Sequence, residues 1–197
     1  MQIIFMSKNG PADYVEKNIA GKYPDAPAKC PFKDCGVILS MKKNGFYKRY
    51  LKTSTFSGHI RIRRYKCPKC GRTVSMLPSF CAAGFSYGAE LIVSMARTAA
   101  ETGSVRRAVT EWRGSAESVS RRLIAQYLAR IRGNRRLIQY GLNQISPGNA
   151  HIGNTPGDTE WTKRFLLGIR PTLVAEFNAD FHKTTNKSFM SSQKRIS

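Results

Sequence analysis

Cys67-Pro68-Lys69-Cys70-Gly71-Arg72-Thr73 repeats, in tighter form, Cys30-Pro31-Phe32-Lys33-Asp34-Cys35-Gly36, and this pair of stretches decides how the chain is read. In each, a proline behind the first cysteine stiffens the turn. A glycine behind the second lets the backbone double back around the sulfurs. Two such pairs, with 31 residues between them, can offer four thiolates to one tetrahedral ion. The expectation is therefore one structural Zn2+ held by Cys30, Cys35, Cys67 and Cys70. With four protein ligands, no coordination position stays open for water or substrate. A segment of this size buries too little apolar surface to fold unaided, and a structural zinc supplies about 10–16 kcal/mol at neutral pH. The first pair, spaced by four residues rather than two, departs from the commoner pattern. Reduced core cysteines or a redox pair are the competing reading, and the shared proline and glycine flanks weigh against it. Cys81 lies beyond both pairs and reads as a small buried hydrophobe. His59 is not needed as a ligand while four thiolates are at hand.

Short strand-like runs surround the cysteines. Val37–Met41 and Phe46–Leu51 flank Asn44-Gly45, a dipeptide suited to a tight hairpin. His59–Lys66 alternates in part, Ile60 and Ile62 opposing Arg61 and Arg63. Residues 29–80 are thus expected to form a three-stranded antiparallel zinc ribbon, with a strand and small helix from residues 1–28 packed on it. From Lys29 to Arg72 there are 13 lysines and arginines against one acid, Asp34, with aromatic residues interleaved. A surface that contacts phosphates and packs on bases or sugars needs this mixture. Lys48, Arg49, Arg61, Arg63 and Arg64 are its candidate contacts. For any one of them, a solvated strand face is an equal alternative.

Residues 86–145 change to helical periodicity. Tyr87–Ala100 carries Leu91, Ile92, Met95 and Ala99 at helical spacing and stops at Gly103. Ser104–Trp112 and Ala116–Arg132, joined by Arg113-Gly114-Ser115, have the lengths of a helix-turn-helix, with Ser115 the expected cap and Gly133 the stop. A further helix over Arg135–Ile145 is expected. In a helix-turn-helix the second helix enters the major groove, which makes Ser118, Ser120, Arg121 and Arg122 candidate base or phosphate contacts. Arg106 and Arg107 suit the DNA backbone. Ser104–Arg136 contains nine arginines and no lysine, which favours planar bidentate recognition over mere solubility. A plain helical hairpin supporting the ribbon would give the same apolar stripe. From Ser146 onward periodicity fades, and a flexible tail, disordered or partly helical, is expected over 146–197, with Asp158-Thr159-Glu160-Trp161 reading as a helix N-terminus that Thr162–Leu167 continues. The overall expectation is an α+β protein.

Across 197 residues, 33 lysines and arginines face 12 acids, a formal net charge of +21. Self-repulsion opposes compaction, so such an excess points to an anionic partner, with nucleic acid ahead of a membrane surface or acidic protein. No signal peptide or membrane span is read, so a cytoplasmic, nucleoid-associated location with reduced thiols is expected.

The stretch IRRYKCPKCGRTVSMLPSF, Ile62–Phe80, followed by the helix-turn-helix pattern, resembles a family of uncharacterised bacterial proteins encoded in mobile elements. Its cysteine segment is similar to the zinc ribbons that precede the DNA-binding helices of insertion-sequence transposases. The likeness covers roughly residues 1–135. It implies double-stranded DNA as partner and a transposase-like or regulatory role. A second copy of the chain or a transposition protein is a further candidate partner. Transposase catalysis needs three carboxylates around two metal ions on a long sheet. Only Asp158, Glu160, Glu176 and Asp180 follow the helices, so a non-catalytic protein is expected. A truncated transposase, or a ribbon that binds RNA or docks on a protein, are the alternatives.

Overall fold

The computed structural model describes residues 1–113, 119–145 and 157–192. Strands β1 (Gln2–Phe5), β2 (Lys42–Lys52), β3 (Ser57–Lys66) and β4 (Thr73–Pro78) form one sheet in the order β1-β4-β3-β2. The β2–β3 and β3–β4 pairs are antiparallel, while β1 runs parallel to β4, from Gln2 opposite Ser75 to Phe5 opposite Pro78. The expected three-stranded antiparallel ribbon is thus corrected to a four-stranded mixed sheet. The N-terminal strand is hydrogen-bonded into that sheet rather than laid upon it.

The hairpin expected at Asn44-Gly45 is also corrected. Both residues lie inside β2, and Val37–Met41 is not a strand. Between Lys43 and Phe46, three steps along β2 answer two along β3, and Gly45 takes φ 68°. The left-handed freedom that suits glycine to a tight turn suits it equally to a bulge. Pairing with β3 on both sides of the glycine makes the difference. The chain reverses instead at residues 53–56, where the Thr53 N–H donates to the Phe56 carbonyl at 2.8 Å.

Alternation along the strands sorts the side chains onto two faces. Ile4, Leu51, Ile60, Ile62 and Leu77 are buried on one face with Phe80 and Cys81. Tyr65, Val74 and Met76 are buried on the other with Cys30, Met41 and Cys67. Helix α1 (Pro11–Ile19) braces the stretch of β3 that β4 leaves uncovered. Its Tyr14 hydroxyl and Asn18 Nδ2 both donate to the Arg61 carbonyl at 3.0 Å.

The remaining chain is helical. Helix α2 (Ala89–Thr102) is buried along most of its length and ends at Gly103 with φ 65°, close to its expected span. Helix α3 (Val105–Trp112) is capped by Ser104, whose hydroxyl accepts from the Arg107 N–H. Helix α4 (Arg121–Gly133) starts five residues later than expected and is capped by the extended Ser120, which accepts from the Leu123 N–H at 3.2 Å. The expected cap Ser115 and the candidate contact Ser118 lie outside the described residues. Helix α5 (Arg135–Ile145) follows as expected.

Helices α6 (Asp158–Gly168) and α7 (Val174–Thr185), joined through a 3-10 turn at Pro171–Leu173, occupy the segment expected as a flexible tail; α6 starts at Asp158, where the sequence reads a helix N-terminus, while α7 has no counterpart in the sequence reading. Trp161, Phe165, Leu166, Phe181 and Phe189 are buried in the same core as α2 and α4. Polar and glycine-rich neighbours hide this apolar set in the sequence. Helix α7 also closes onto the sheet side, where buried Asn178 Nδ2 donates to the carbonyls of Ser79 (2.7 Å) and Cys81 (2.9 Å). Among the described residues, no helix is long and apolar enough to cross a membrane.

Candidate metal centre and nucleic-acid interface

Each cysteine pair sits in a turn closed by backbone hydrogen bonds. The N–H groups of Cys35 and Gly36 donate to the Phe32 carbonyl at 2.9 Å, and the Gly71 N–H donates to Cys67 at 3.0 Å. Gly36 and Gly71 take φ 52° and 70°, the left-handed region that their positions in the sequence imply. The two turns face each other so that all four sulfurs lie within 4.8 Å of one another. Cys30 and Cys70 are 3.7 Å apart, and Cys35 and Cys67 are 3.9 Å apart. A disulfide requires ~2.05 Å, so these are free thiols. A regular tetrahedron of sulfurs with metal–sulfur bonds of ~2.3 Å has edges of about 3.8 Å. The cluster is compatible with a structural metal site.

The surroundings push the sulfurs in opposite directions. Burial raises the Cys30 thiol to about 12. The Arg72 side chain and backbone N–H draw Cys70 down to about 6. A divalent cation would relieve the cost of charge at the buried sulfur. Arg72 joins the turns a second time, pairing with Asp34 at 2.6 Å and lying 4.0 Å over the Phe32 ring. That ion pair holds the Asp34 carboxyl below its usual range.

The candidate contact residues of the sheet divide between its faces. On β2 and β3, Lys48 lies opposite Arg61, and Phe46 opposite Arg63. Lys48 and Arg61 are exposed, and Arg63 is half-buried. Arg49 and Arg64 point to the other face. The Arg49 guanidinium donates to the carbonyls of Ala82 and Phe85, which commits it to holding the loop after β4. Arg64 is half-buried opposite Ser75. In the helices, Arg106 and Arg107 are exposed in the first turn of α3, and Arg121 and Arg122 in the first turn of α4, which packs against α3. The Ser120 hydroxyl is engaged as a cap.

Residues 30–122 match the family described as a domain of unknown function (DUF6431). The matched stretch runs from the first cysteine of the cluster to the second residue of α4, and so includes all four sulfurs and strands β2 to β4. No curated protein and no solved structure matches the chain.

Phe46 and Tyr50, among the aromatics interleaved with the basic residues in the sequence, and His59, set aside there as a metal ligand, are all exposed on the face that carries Lys48 and Arg61. Their signal is the strict alternation of β2 from Phe46 onward. The strand from Phe46 was legible, but its pairing with β3 on both sides of the Gly45 bulge, which places the three on one face, was not.

Proposed function

We propose that this chain is a DNA-binding protein in which one Zn2+, held by Cys30, Cys35, Cys67 and Cys70, fixes a basic sheet beside an arginine-bearing helix pair. The observation that carries the reading is the exposure of Arg106, Arg107, Arg121 and Arg122 in the first turns of two packed helices. Arginine there can reach guanine edges and phosphates, as the second helix of a helix-turn-helix does. The +21 charge supplies the sequence-independent part of the attraction through counterion release. Tetrathiolate coordination and the absence of an open ligand position make the zinc a structural element in this reading. The acids of α6 support binding over catalysis: Asp158 pairs with Arg135 at 2.8 Å and Glu160 with Arg164 at 3.2 Å. A role in transposition, or in control of a mobile element, is the setting that the resemblance of Ile62–Phe80 implies.

Enrichment of bound sequences from random duplex DNA at physiological salt tests this directly. The wild-type chain is expected to return a consensus site. Arg121→Ala with Arg122→Ala should weaken binding to that site by roughly 5–150-fold per lost bidentate contact, with the melting temperature unchanged. Equal loss of fold and binding would make these arginines structural, and recovery of no preferred sequence would remove site-specific recognition.

A further inference from the structure

On the outward face of the β2–β3 ladder, Phe46, Lys48 and Tyr50 stand opposite Arg63, Arg61 and His59. Aromatic and cationic side chains therefore alternate along β2, and β3 sets Arg63, Arg61 and His59 against them. Neither strand contains an acid. Phe46 and Tyr50 are each 42% exposed, a large outlay of apolar ring surface to leave in water. Both rings are already held. The Arg61 guanidinium lies 4.8 Å from the Phe46 centroid. The Tyr50 hydroxyl is 2.7 Å from Ser57 Oγ, and its ring meets His59 edge-on at 5.5 Å. Rings fixed in advance lose little entropy when something stacks on them.

A groove of about 240 Å³ runs beside this face, bounded by Lys48, His59 and Arg61 on the sheet and by Val15, Asn18 and Ile19 on α1. Asn18 is 4% exposed, and its Oδ1 has no hydrogen-bond partner, while its Nδ2 is spent on the Arg61 carbonyl. Asn18 lines a groove rich in cations and carries an acceptor that no protein donor satisfies. Ile19, 78% exposed, stands at the rim.

We propose that this sheet face, with the groove beside α1, binds an unpaired DNA strand, its bases on Phe46 and Tyr50 and its phosphates along Lys48, Arg61 and Arg63. A duplex is the poorer occupant, because its bases are already stacked on one another and present only edges to a protein. The inference rests on the reading of the chain as a DNA-binding protein, but uses a different surface from the arginines of α3 and α4.

Fluorescence anisotropy at physiological salt separates the two surfaces, using a labelled oligothymidine, an RNA strand of the same length and a blunt duplex carrying the selected site. Phe46→Ala with Tyr50→Ala should weaken oligothymidine binding roughly thirty-fold or more and leave the duplex affinity within about two-fold. Arg121→Ala with Arg122→Ala should do the reverse. Phe46→Ile with Tyr50→Ile keeps β-branched bulk in the strand and should reproduce the loss with the melting temperature unchanged. The proposal is overturned if oligothymidine does not bind, if its binding survives both aromatic variants, if duplex binding falls in parallel, or if RNA binds more tightly than DNA. Loss of duplex binding alone, with oligothymidine held and released as described, would remove the helix-pair reading and leave this one standing.

Discussion

Gly141 lies where α5 meets α7, and a Cβ built there would fall 2.4 Å from Cε2 and 2.6 Å from Cδ2 of Phe181. Phe181 is fully buried, with Phe177 and Phe189 packed against it at centroid distances of 5.5 and 6.3 Å, so the ring has little room to yield. Alanine would gain about 1 kcal/mol in helix propensity, whereas overpacking costs about 1–3 kcal/mol. The clash is expected to win. Gly141→Ala should lower the unfolding free energy measured by urea titration, and an unchanged or raised value would show that the aromatic cluster is looser than its packing implies. The same scale separates arginines that resemble one another in sequence. Arg49 is bound to the Ala82 and Phe85 carbonyls, while Lys48 and Arg61, its neighbours in the ladder, are open to solvent. Nothing in a run of basic residues distinguishes them until strand register assigns each a face.

Among the elements, the two cysteine turns depend on one another. They hold the ends of a long β2–β3 hairpin and β4 together through four sulfurs, the Arg72–Asp34 pair and a small apolar cluster around Tyr65 and Val74. If the proposed zinc is bound, Cys67→Ser should remove one equivalent of metal on elemental analysis. It should also lower the melting temperature sharply and reduce the far-ultraviolet signal of the sheet, since a structural zinc contributes about 10–16 kcal/mol. Full metal content, or an unchanged melting profile, would contradict the tetrathiolate assignment. The cysteine turns were legible because cysteine, proline and glycine each carry a local geometric consequence. Strand β4 was not, since its six residues follow the second turn directly and Thr73-Val74-Ser75-Met76 looks like a continuation of it. The start of α4 was misplaced for a related reason. Ser115 and Ser120 are both competent caps, and propensity does not choose between them.

At the scale of the whole molecule, the two ends of the chain are joined. His182 on α7 meets the Gln2 carbonyl of β1 through Nε2 at 3.1 Å. Burial holds the His182 ring below its usual pKa near 6.5, and the hydrogen bond to Gln2 offsets only part of that shift. The folded protein thus prefers the neutral ring, while the unfolded chain takes up a proton near 6.5. This contribution to stability is complete above that pH and is lost as the pH falls from there toward the lower pKa of the folded state. Between pH 7.5 and 5.5 the wild-type melting temperature should drop more than that of His182→Gln, which can still donate to the carbonyl. Equal drops would show that other groups dominate acid sensitivity. A contact between residues 2 and 182 leaves no pattern in either local sequence, which is why the C-terminal segment reads as a tail.

The sequence by itself determined the cysteine cluster, the helices α2, α3, α5 and α6, the β3 alternation and the cationic character of the molecule. Each follows from chemistry confined to a few neighbouring residues: side-chain period, turn geometry, ligand type and charge. Only the tertiary structure decided that β1 enters the sheet parallel to β4, that Gly45 bulges a strand rather than turning it, and that Trp161 and Phe181 complete the core around α2. It also decided which basic and aromatic side chains share an open face. These outcomes depend on pairing between segments far apart in the chain, where the free energy of burial and of shared hydrogen bonds overrides what any short stretch would adopt alone.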